Sequence, residues 1–191
     1  MTIGLSATAQ TVTDEVDIES NGDVKLEMIN PAEPVNESKQ EIKEREKRLR
    51  EHNDEVAYAK ASNSMRRGYF VLLADYIQLG RSGYRYCAIS GNTNFILVQE
   101  ADGIFQYALN TGKPGVNGLG GSTCSGTVSN KRIKVKDNGD VFMQFHFVGK
   151  WINTEIDITL FHNTNQAVAH IHGTNITMYG EIRPYRDSDH R

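Results

Sequence analysis

The amino-acid sequence predicts a mainly β protein, in which an antiparallel β-sandwich or jelly-roll head follows a long α-helical coiled-coil stalk. The head is indicated by about nine stretches after Gly68 that alternate apolar and polar residues and are separated by turn residues. The stalk is indicated by residues 38–67, which are rich in Glu, Lys, Arg and Ala, all good helix formers. The predicted segments are an N-terminal arm (1–35), the stalk (36–67) and the head (68–191).

The N-terminal arm is predicted to attach the protein to a partner. It has seven acidic residues against one lysine, a net charge of −6, whereas residues 36–67 carry +2 and residues 68–191 carry +1. No segment is basic enough to indicate binding to nucleic acid. No apolar run approaches the roughly 20 residues that a membrane-spanning helix needs, and residues 1–20 lack the basic and apolar regions of a secretory signal. We therefore expect a chain made in a cytoplasm, with an acidic arm that contacts protein.

The stalk helix has clear start and stop signals. Ser38 and Glu41 fit a capping box, in which each side chain accepts a hydrogen bond from the other residue's backbone amide. Gly68 suits the left-handed conformation that ends many helices. With about 1.5 Å of rise per residue, we expect a rod of roughly 45 Å.

The large apolar residues of this helix form a narrow seam. Val35, Ile42, Leu49 and Val56 lie seven residues apart, and Asn63 occupies the next position of the series. A helix that packs on a globular core shows a wider apolar stripe, whereas one apolar residue per heptad favours self-association along an axis. We expect a parallel bundle of three chains with these five residues at its seam. A single solvated helix is the alternative interpretation.

The head is predicted to contain nine strands. They lie in GYFVLLADYIQL, GYRYCAIS, NFILVQ, IFQYAL, SNKRIKVK, VFMQFHFVG, WINTEIDITL, QAVAHIH and NITMYGEIR. The sixth strand is expected to pair with the fifth across the turn Asp137–Asp140, a strong hairpin signal. Residues 111–126, TGKPGVNGLGGSTCSG, are expected to form a surface loop.

This order of arm, coiled-coil stalk and β head resembles the trimeric fibre proteins of bacteriophages and other viruses. The resemblance implies a non-enzymatic structural protein of the virion and a homotrimer. Residues 1–35 would dock on a capsid or tail protein, and the head would present a binding surface to a receptor or glycan on the host cell. Both a tail or baseplate fibre and a capsid head fibre or decoration fit this order of parts.

The same order of parts also resembles secreted trimers with jelly-roll heads, such as C1q-like and tumour-necrosis-factor-like proteins. These are the alternative class. A disulfide between Cys87 and Cys124 would favour them, whereas two reduced thiols fit a protein made in a cytosol.

A metal site is one candidate in the head. His170 and His172 lie two apart in a predicted strand, so both imidazoles would point to the same face. Three such pairs around a threefold axis would offer six nitrogens, which resembles the iron sites of some phage fibre tips. Iron or another transition metal is therefore one hypothesis, and surface or interface histidines are the other.

Two further candidates concern sugars. Glu155 and Asp157 share a strand face by alternation, and a pair of carboxylates is what glycoside hydrolysis requires. Adjacent acids on a solvated strand are common, so we expect no enzyme. Trp151 follows the turn at Gly149–Lys150, where an exposed aromatic ring is suited to binding a glycan or receptor without catalysis.

Overall fold

The computed structural model describes residues 38–80, 84–87, 93–108 and 120–185. These residues form one helix, α1 (Lys39–Arg67), and nine strands. The strands are β1 (Tyr69–Leu79), β2 (Tyr84–Cys87), β3 (Phe95–Gln99), β4 (Asp102–Ala108), β5 (Gly121–Val135), β6 (Val141–Gly149), β7 (Asn153–Leu160), β8 (Gln166–Ile171) and β9 (Ile176–Pro184). The predicted arm, residues 1–35, lies outside the described residues. The mainly β composition is confirmed.

The strands form one antiparallel sheet that closes on itself. From β3 to β9 each strand pairs with the next one along the chain, and β1 pairs with both β3 and β9. Eight strands therefore make a closed barrel, and the short β2 pairs with the far half of β1. The predicted β-sandwich or jelly roll is wrong. Alternation of apolar residues identifies strands, but it does not reveal that the last strand returns to pair with the first.

The interior of the barrel is filled by side chains. Along β6 the buried residues alternate with outward ones, and β7 follows the same rule from Thr154 to Leu160. The largest fully buried side chains include Phe70, Phe145 and Phe147. Alternation sends Gln144 and His146 of β6 and Glu155 and Asp157 of β7 to the outer surface, which is where a site can form.

Helix α1 closes one end of the barrel, next to the turn between β5 and β6. Ala61 and Met65 are fully buried and belong to the same apolar cluster as the strand residues. About two turns before Met65, the Tyr58 hydroxyl donates a hydrogen bond of 2.6 Å to the Gly139 carbonyl oxygen. The Tyr58 ring also meets the His162 ring edge-on, with 5.4 Å between centroids. The helix thus packs on its own barrel through its last turns.

The predicted coiled-coil stalk is wrong for this reason. Ile42, Leu49 and Val56 are 36%, 59% and 36% exposed, and Asn63 is exposed as well. Val35 lies outside the described residues. The face that packs is instead built from small residues and one methionine near the C-terminus, which a search for large apolar residues at heptad spacing passes over. The first turns are solvated and are stabilised by ion pairs four residues apart, such as Lys47–Glu51.

The predicted ends of the helix are confirmed. Ser38 and Glu41 make both hydrogen bonds of the capping box. The pKa of Glu41 is held below its usual value, first by the Ser38 backbone N–H that donates to its carboxylate and then by the Ser38 side chain, because both favour the charged form. Gly68 ends the helix in the left-handed conformation, with φ of 75°.

Part of the predicted glycine-rich loop is a strand. Gly121 begins β5, and a Cβ atom there would collide with the carbonyl of Tyr107 on β4. Gly126 has the same constraint against the carbonyl of Val148 on β6. These glycines permit neighbouring backbones to approach closely, which is a structural role.

Within the described ranges, no helix has the length and apolar character needed to cross a membrane. Cys124 is a buried free thiol.

Candidate functional site

A row of polar side chains crosses the outer surface of five adjacent strands. The strand registers place five residues side by side, one on each strand. They are Arg132 on β5, Gln144 on β6, Asp157 on β7, His170 on β8 and Thr177 on β9. We call this set the polar row. It arises because each inward apolar position is followed by an outward polar one, and the hairpin turns keep the strands in register.

An open groove lies beside this row, over β5, β6 and β7, with the β8–β9 turn on one side. Its volume is about 560 Å³. The groove, called the polar groove below, is lined by Asn130, Arg132, Gln144, His146, Asn153, Thr154, Glu155, His172 and Gly173. Its lining contains no large apolar side chain, so it suits a ligand that forms hydrogen bonds.

A β-bulge shapes the β5 side of the groove. The register between β5 and β6 shifts between Ser129 and Arg132, and Asn130 takes a positive φ of 53°. Such bulges insert one extra residue and re-aim the side chains around it. Here the bulge lies next to two groove residues, Asn130 and Arg132.

The opposite side of the groove is held in place by a network of hydrogen bonds. Gln144 Nε2 donates to Asp157 Oδ1 at 3.0 Å, and His172 Nε2 lies 2.9 Å from Asp157 Oδ2. The backbone of His172 is fixed too, because its N–H donates to the Glu155 carbonyl and its own carbonyl accepts from the Thr154 hydroxyl at 2.6 Å. Hydrogen bonds to its ring and to its backbone therefore fix the position of the His172 imidazole.

Other groove side chains are not engaged in this way. In the part of the chain that the structure describes, five of them make no side-chain hydrogen bond or ion pair with protein, namely Asn130, Arg132, His146, Asn153 and Glu155. Together they offer a guanidinium, two amides, an imidazole and a carboxylate. The groove thus presents both donors and acceptors to whatever enters it.

The two histidines that the sequence grouped as a metal site line the same surface cavity, but they make different contacts. Both side chains lie on the outer surface, but His170 Nδ1 lies 3.1 Å from the Thr177 hydroxyl, while His172 contacts Asp157. Among the described residues, no group of three or more His, Cys, Asp or Glu side chains is arranged to hold a metal ion. Iron or another transition metal at this pair stays a prediction.

Glu155 and Asp157 do share the outer face of β7, as their alternation indicates. However, both carboxylate oxygens of Asp157 are already occupied by Gln144 and His172. The Glu155 carboxylate, by contrast, makes no hydrogen bond or ion pair among the described residues. The expectation that the protein is not an enzyme stays a prediction.

Trp151 is 60% exposed in the turn between β6 and β7, two residues before the groove residue Asn153. The ammonium of Lys150 lies 5.8 Å from the centroid of its ring. The sequence interpretation missed Arg132, Gln144 and His146. They could have been found by pairing the outward positions of β5 and β6 across the Asp137–Asp140 turn.

The fold and the groove define a class, an eight-stranded antiparallel barrel closed at one end by a helix, with a polar groove on its outer surface. Residues 52–182 match the family model "Domain of unknown function (DUF4251)", and the chain belongs to this family. It is also similar to the crystal structure of a DUF4251 family protein from Bacteroides eggerthii. The identity is 32% and the TM-score 0.58, over 70% of this chain and 91% of that chain. No curated protein matches the sequence.

These matches overturn the resemblance to viral fibre proteins. The family match covers most of the chain, and the similar solved structure comes from a bacterium. The coiled-coil stalk and jelly-roll head that carried the resemblance are also wrong. The virion location, the homotrimer, the capsid or tail partner and the host receptor were implied by that resemblance, and they stay predictions.

Proposed function

We propose that this protein is a non-catalytic binding module that holds an oligosaccharide in the polar groove. The observation that carries the proposal is the set of polar groove side chains that make no hydrogen bond or ion pair among the described residues, above all Arg132 and Glu155. Sugars present neighbouring hydroxyl groups that donate and accept at once. A guanidinium donates two parallel hydrogen bonds and a carboxylate accepts two, so these groups match adjacent hydroxyls.

The placement of these side chains on strands supports the same conclusion. Asn130 and Arg132 lie on β5, His146 on β6, and Asn153 and Glu155 on β7. Groups on paired strands hold their positions better than groups on loops, so less freedom is lost when a ligand binds. An open groove also leaves room for a chain of sugars to extend beyond it.

Trp151 supplies the apolar contact that the groove lining lacks. Its exposed ring could stack against the apolar face of a sugar at the end of the groove where β7 begins. The proposal therefore assigns hydrogen bonding to the groove and stacking to Trp151.

A role without catalysis is favoured because Glu155 is the one carboxylate among the described residues that line the groove. Asp157, the next outward residue on β7, already makes hydrogen bonds to Gln144 and His172 through its two oxygens. No serine or cysteine lines the groove beside His172 to act as a nucleophile.

The test begins by screening the full chain on a glycan array and measuring the best ligand by calorimetry. Arg132→Ala and Glu155→Gln should each weaken binding roughly 10- to 100-fold, because a hydrogen bond to a charged group contributes about 1.5–3 kcal/mol. The matched controls are Arg48→Ala and Glu51→Gln on the solvated part of α1, which should bind like the wild type. Equal affinities for groove and control variants, or no glycan bound at all, would contradict the proposal. Hydrolysis of the bound glycan that Glu155→Gln abolishes would show an enzyme instead.

A further inference from the structure

A second candidate binding surface lies along β5, and its chemistry suits a protein segment and not a sugar. β5 is the longest strand, with 15 residues, but it pairs with β4 only over Gly121–Thr127. The Val128 N–H makes the last backbone hydrogen bond on that side, to the Ala101 carbonyl at 2.7 Å, and beyond it the Lys131 ammonium donates to the Glu100 carbonyl at 2.6 Å. Over residues 129–135, β6 is the single strand partner of β5 within the described chain. We call residues 129–135 the β5 edge.

Among the described residues, none forms a backbone hydrogen bond with the β5 edge on the side away from β6. A strand edge of this kind is a template for another strand, because its N–H and C=O groups are spaced to pair. Natural proteins usually shorten, bend or cover such edges. The bulge at Ser129–Arg132 lies at the start of this edge, and several residues continue beyond it.

Exposed apolar residues accompany the open backbone. Ile133 and Val135 are 39% and 50% exposed. Their strand partners on β6, Met143 and Val141, are buried. The two side chains thus have the inward orientation of a core residue, but no strand in the described part of the chain pairs with β5 on their other side. An edge that only needed protection would carry polar residues at these positions.

The basic residues of the edge determine what can pair with it. Residues 131–136 contain Lys131, Arg132, Lys134 and Lys136 and no acid. Two ammonium groups lie over the ring of Phe142 on their own barrel, at 5.4 Å for Lys134 and 5.7 Å for Lys136. These bases would repel a second copy of the same edge, since like charges on paired strands are destabilising. They attract an acidic strand.

We propose that the β5 edge binds an extended acidic segment of a partner protein by strand addition. The segment would have apolar residues at alternate positions that pack on Ile133 and Val135, and acidic residues between them that face the bases. Backbone hydrogen bonds would supply affinity, and the apolar and charged positions would supply specificity. The edge shares Asn130 and Arg132 with the polar groove, but the inference rests on backbone pairing along β5 and not on the oligosaccharide proposal.

The probe is a fluorescent eight-residue peptide of alternating Glu and Val, whose binding to the full chain is followed by anisotropy. We expect saturable binding that weakens at high salt, and no binding of a Lys–Val peptide. Val135→Ser should weaken binding at least fivefold. Val148→Ser is the matched control, because Val148 is 39% exposed on β6, and it should leave binding unchanged.

Backbone methylation of the peptide separates strand addition from a general charge attraction. Two peptides carry N-methyl groups at alternate residues. In the first peptide the methylated amides lie on one edge of the peptide strand, and in the second they lie on the other edge. Strand addition requires one of them to lose binding and the other to retain it. Equal binding of both, absence of binding at millimolar peptide, or equal effects of Val135→Ser and Val148→Ser would overturn the proposal. Dimerisation of the chain that Val135→Ser removes would also overturn it, in favour of a second copy at this edge.

Discussion

The contact between Tyr58 and Gly139 gives a direct test of how α1 is held on the barrel. The Tyr58 hydroxyl donates to the Gly139 carbonyl at 2.6 Å, and the contact is partly buried. Tyr58→Phe removes the hydroxyl and keeps the ring that packs on His162. The carbonyl of Gly139 then loses its side-chain donor while the helix still hinders its access to water.

The expected loss of stability follows from that geometry. A net hydrogen bond contributes about 0.5–1.5 kcal/mol, and leaving a buried partner unsatisfied costs about 1–3 kcal/mol. Since this carbonyl is only partly buried, we expect Tyr58→Phe to lower the free energy of unfolding by about 1–2 kcal/mol. For a chain of this size that corresponds to a fall in Tm of roughly 2–8 °C.

The measurement is urea unfolding followed by circular dichroism and tryptophan fluorescence. The midpoint should fall with little change in the slope of free energy against urea, because the surface exposed on unfolding is nearly the same. Tyr76→Phe is the matched control. Tyr76 is 48% exposed and its hydroxyl makes no hydrogen bond among the described residues, so this variant should stay within about 0.5 kcal/mol of wild type.

Two results would contradict the conclusion that the Tyr58–Gly139 hydrogen bond holds α1 on the barrel. If Tyr58→Phe and Tyr76→Phe had the same stability, the hydrogen bond to Gly139 would not hold the helix. If Tyr58→Phe lowered the helical signal in a separate transition before the barrel unfolds, α1 and the barrel would not unfold as one unit.

Two further predictions concern the same barrel. The pKa of Asp140 is held below its usual value, first by the His162 backbone N–H and then by the Asn138 side chain. A lowered folded-state pKa stabilises the protein above the unfolded pKa, so Asp140→Asn should be less stable than wild type near pH 6. The difference should shrink as pH falls below about 4; a constant difference in urea midpoint from pH 6 to pH 2.5 would contradict this. At Gly180 a Cβ atom would collide with the Leu73 carbonyl, so Gly180→Ala should cost about 3 kcal/mol or prevent folding. Gly173→Ala, in open space but at φ of 72°, should cost only about 1 kcal/mol. Thermal melts that rank these two variants in the opposite order would show that the β1–β9 contact is looser than described.

The elements of the fold were predictable from local patterns. The capping box at Ser38 and Glu41, the left-handed Gly68 and the hairpin across Asp137–Asp140 all follow from residues within a few positions of each other. Closure of the sheet was not predictable in this way. It depends on the pairing of β1 with β9, whose residues are about a hundred positions apart and are not specified by either strand's own pattern.

The packing of α1 was misjudged for a related reason. Its buried face consists of Ala61, Ser62, Ser64 and Met65, which are mostly small and give a weak apolar signal. The exposed residues Ile42, Leu49 and Val56 gave a stronger signal because they are large. Small residues let a helix approach a sheet closely, but the local sequence of α1 does not show that a sheet packs against its last turns.

The candidate site was only partly predictable. Glu155, Asp157, His170 and His172 were identified because acids and imidazoles are conspicuous in a strand. Arg132 joins them only through the register of β5, which the bulge at Ser129–Arg132 shifts by one residue. A polar groove across β5, β6 and β7 can therefore be identified only when the pairing of these strands is known.

The most direct test of the oligosaccharide proposal is an amide chemical-shift titration of the full chain with the best glycan from the array. We expect the largest amide shifts in the polar groove, at Asn130, Arg132, Glu155 and His172. The amide of Trp151 should also shift, by a smaller amount. Shifts confined to α1 or to the β5–β6 turn beside it, or no saturable shift in the groove, would contradict the assignment of this groove as the binding site.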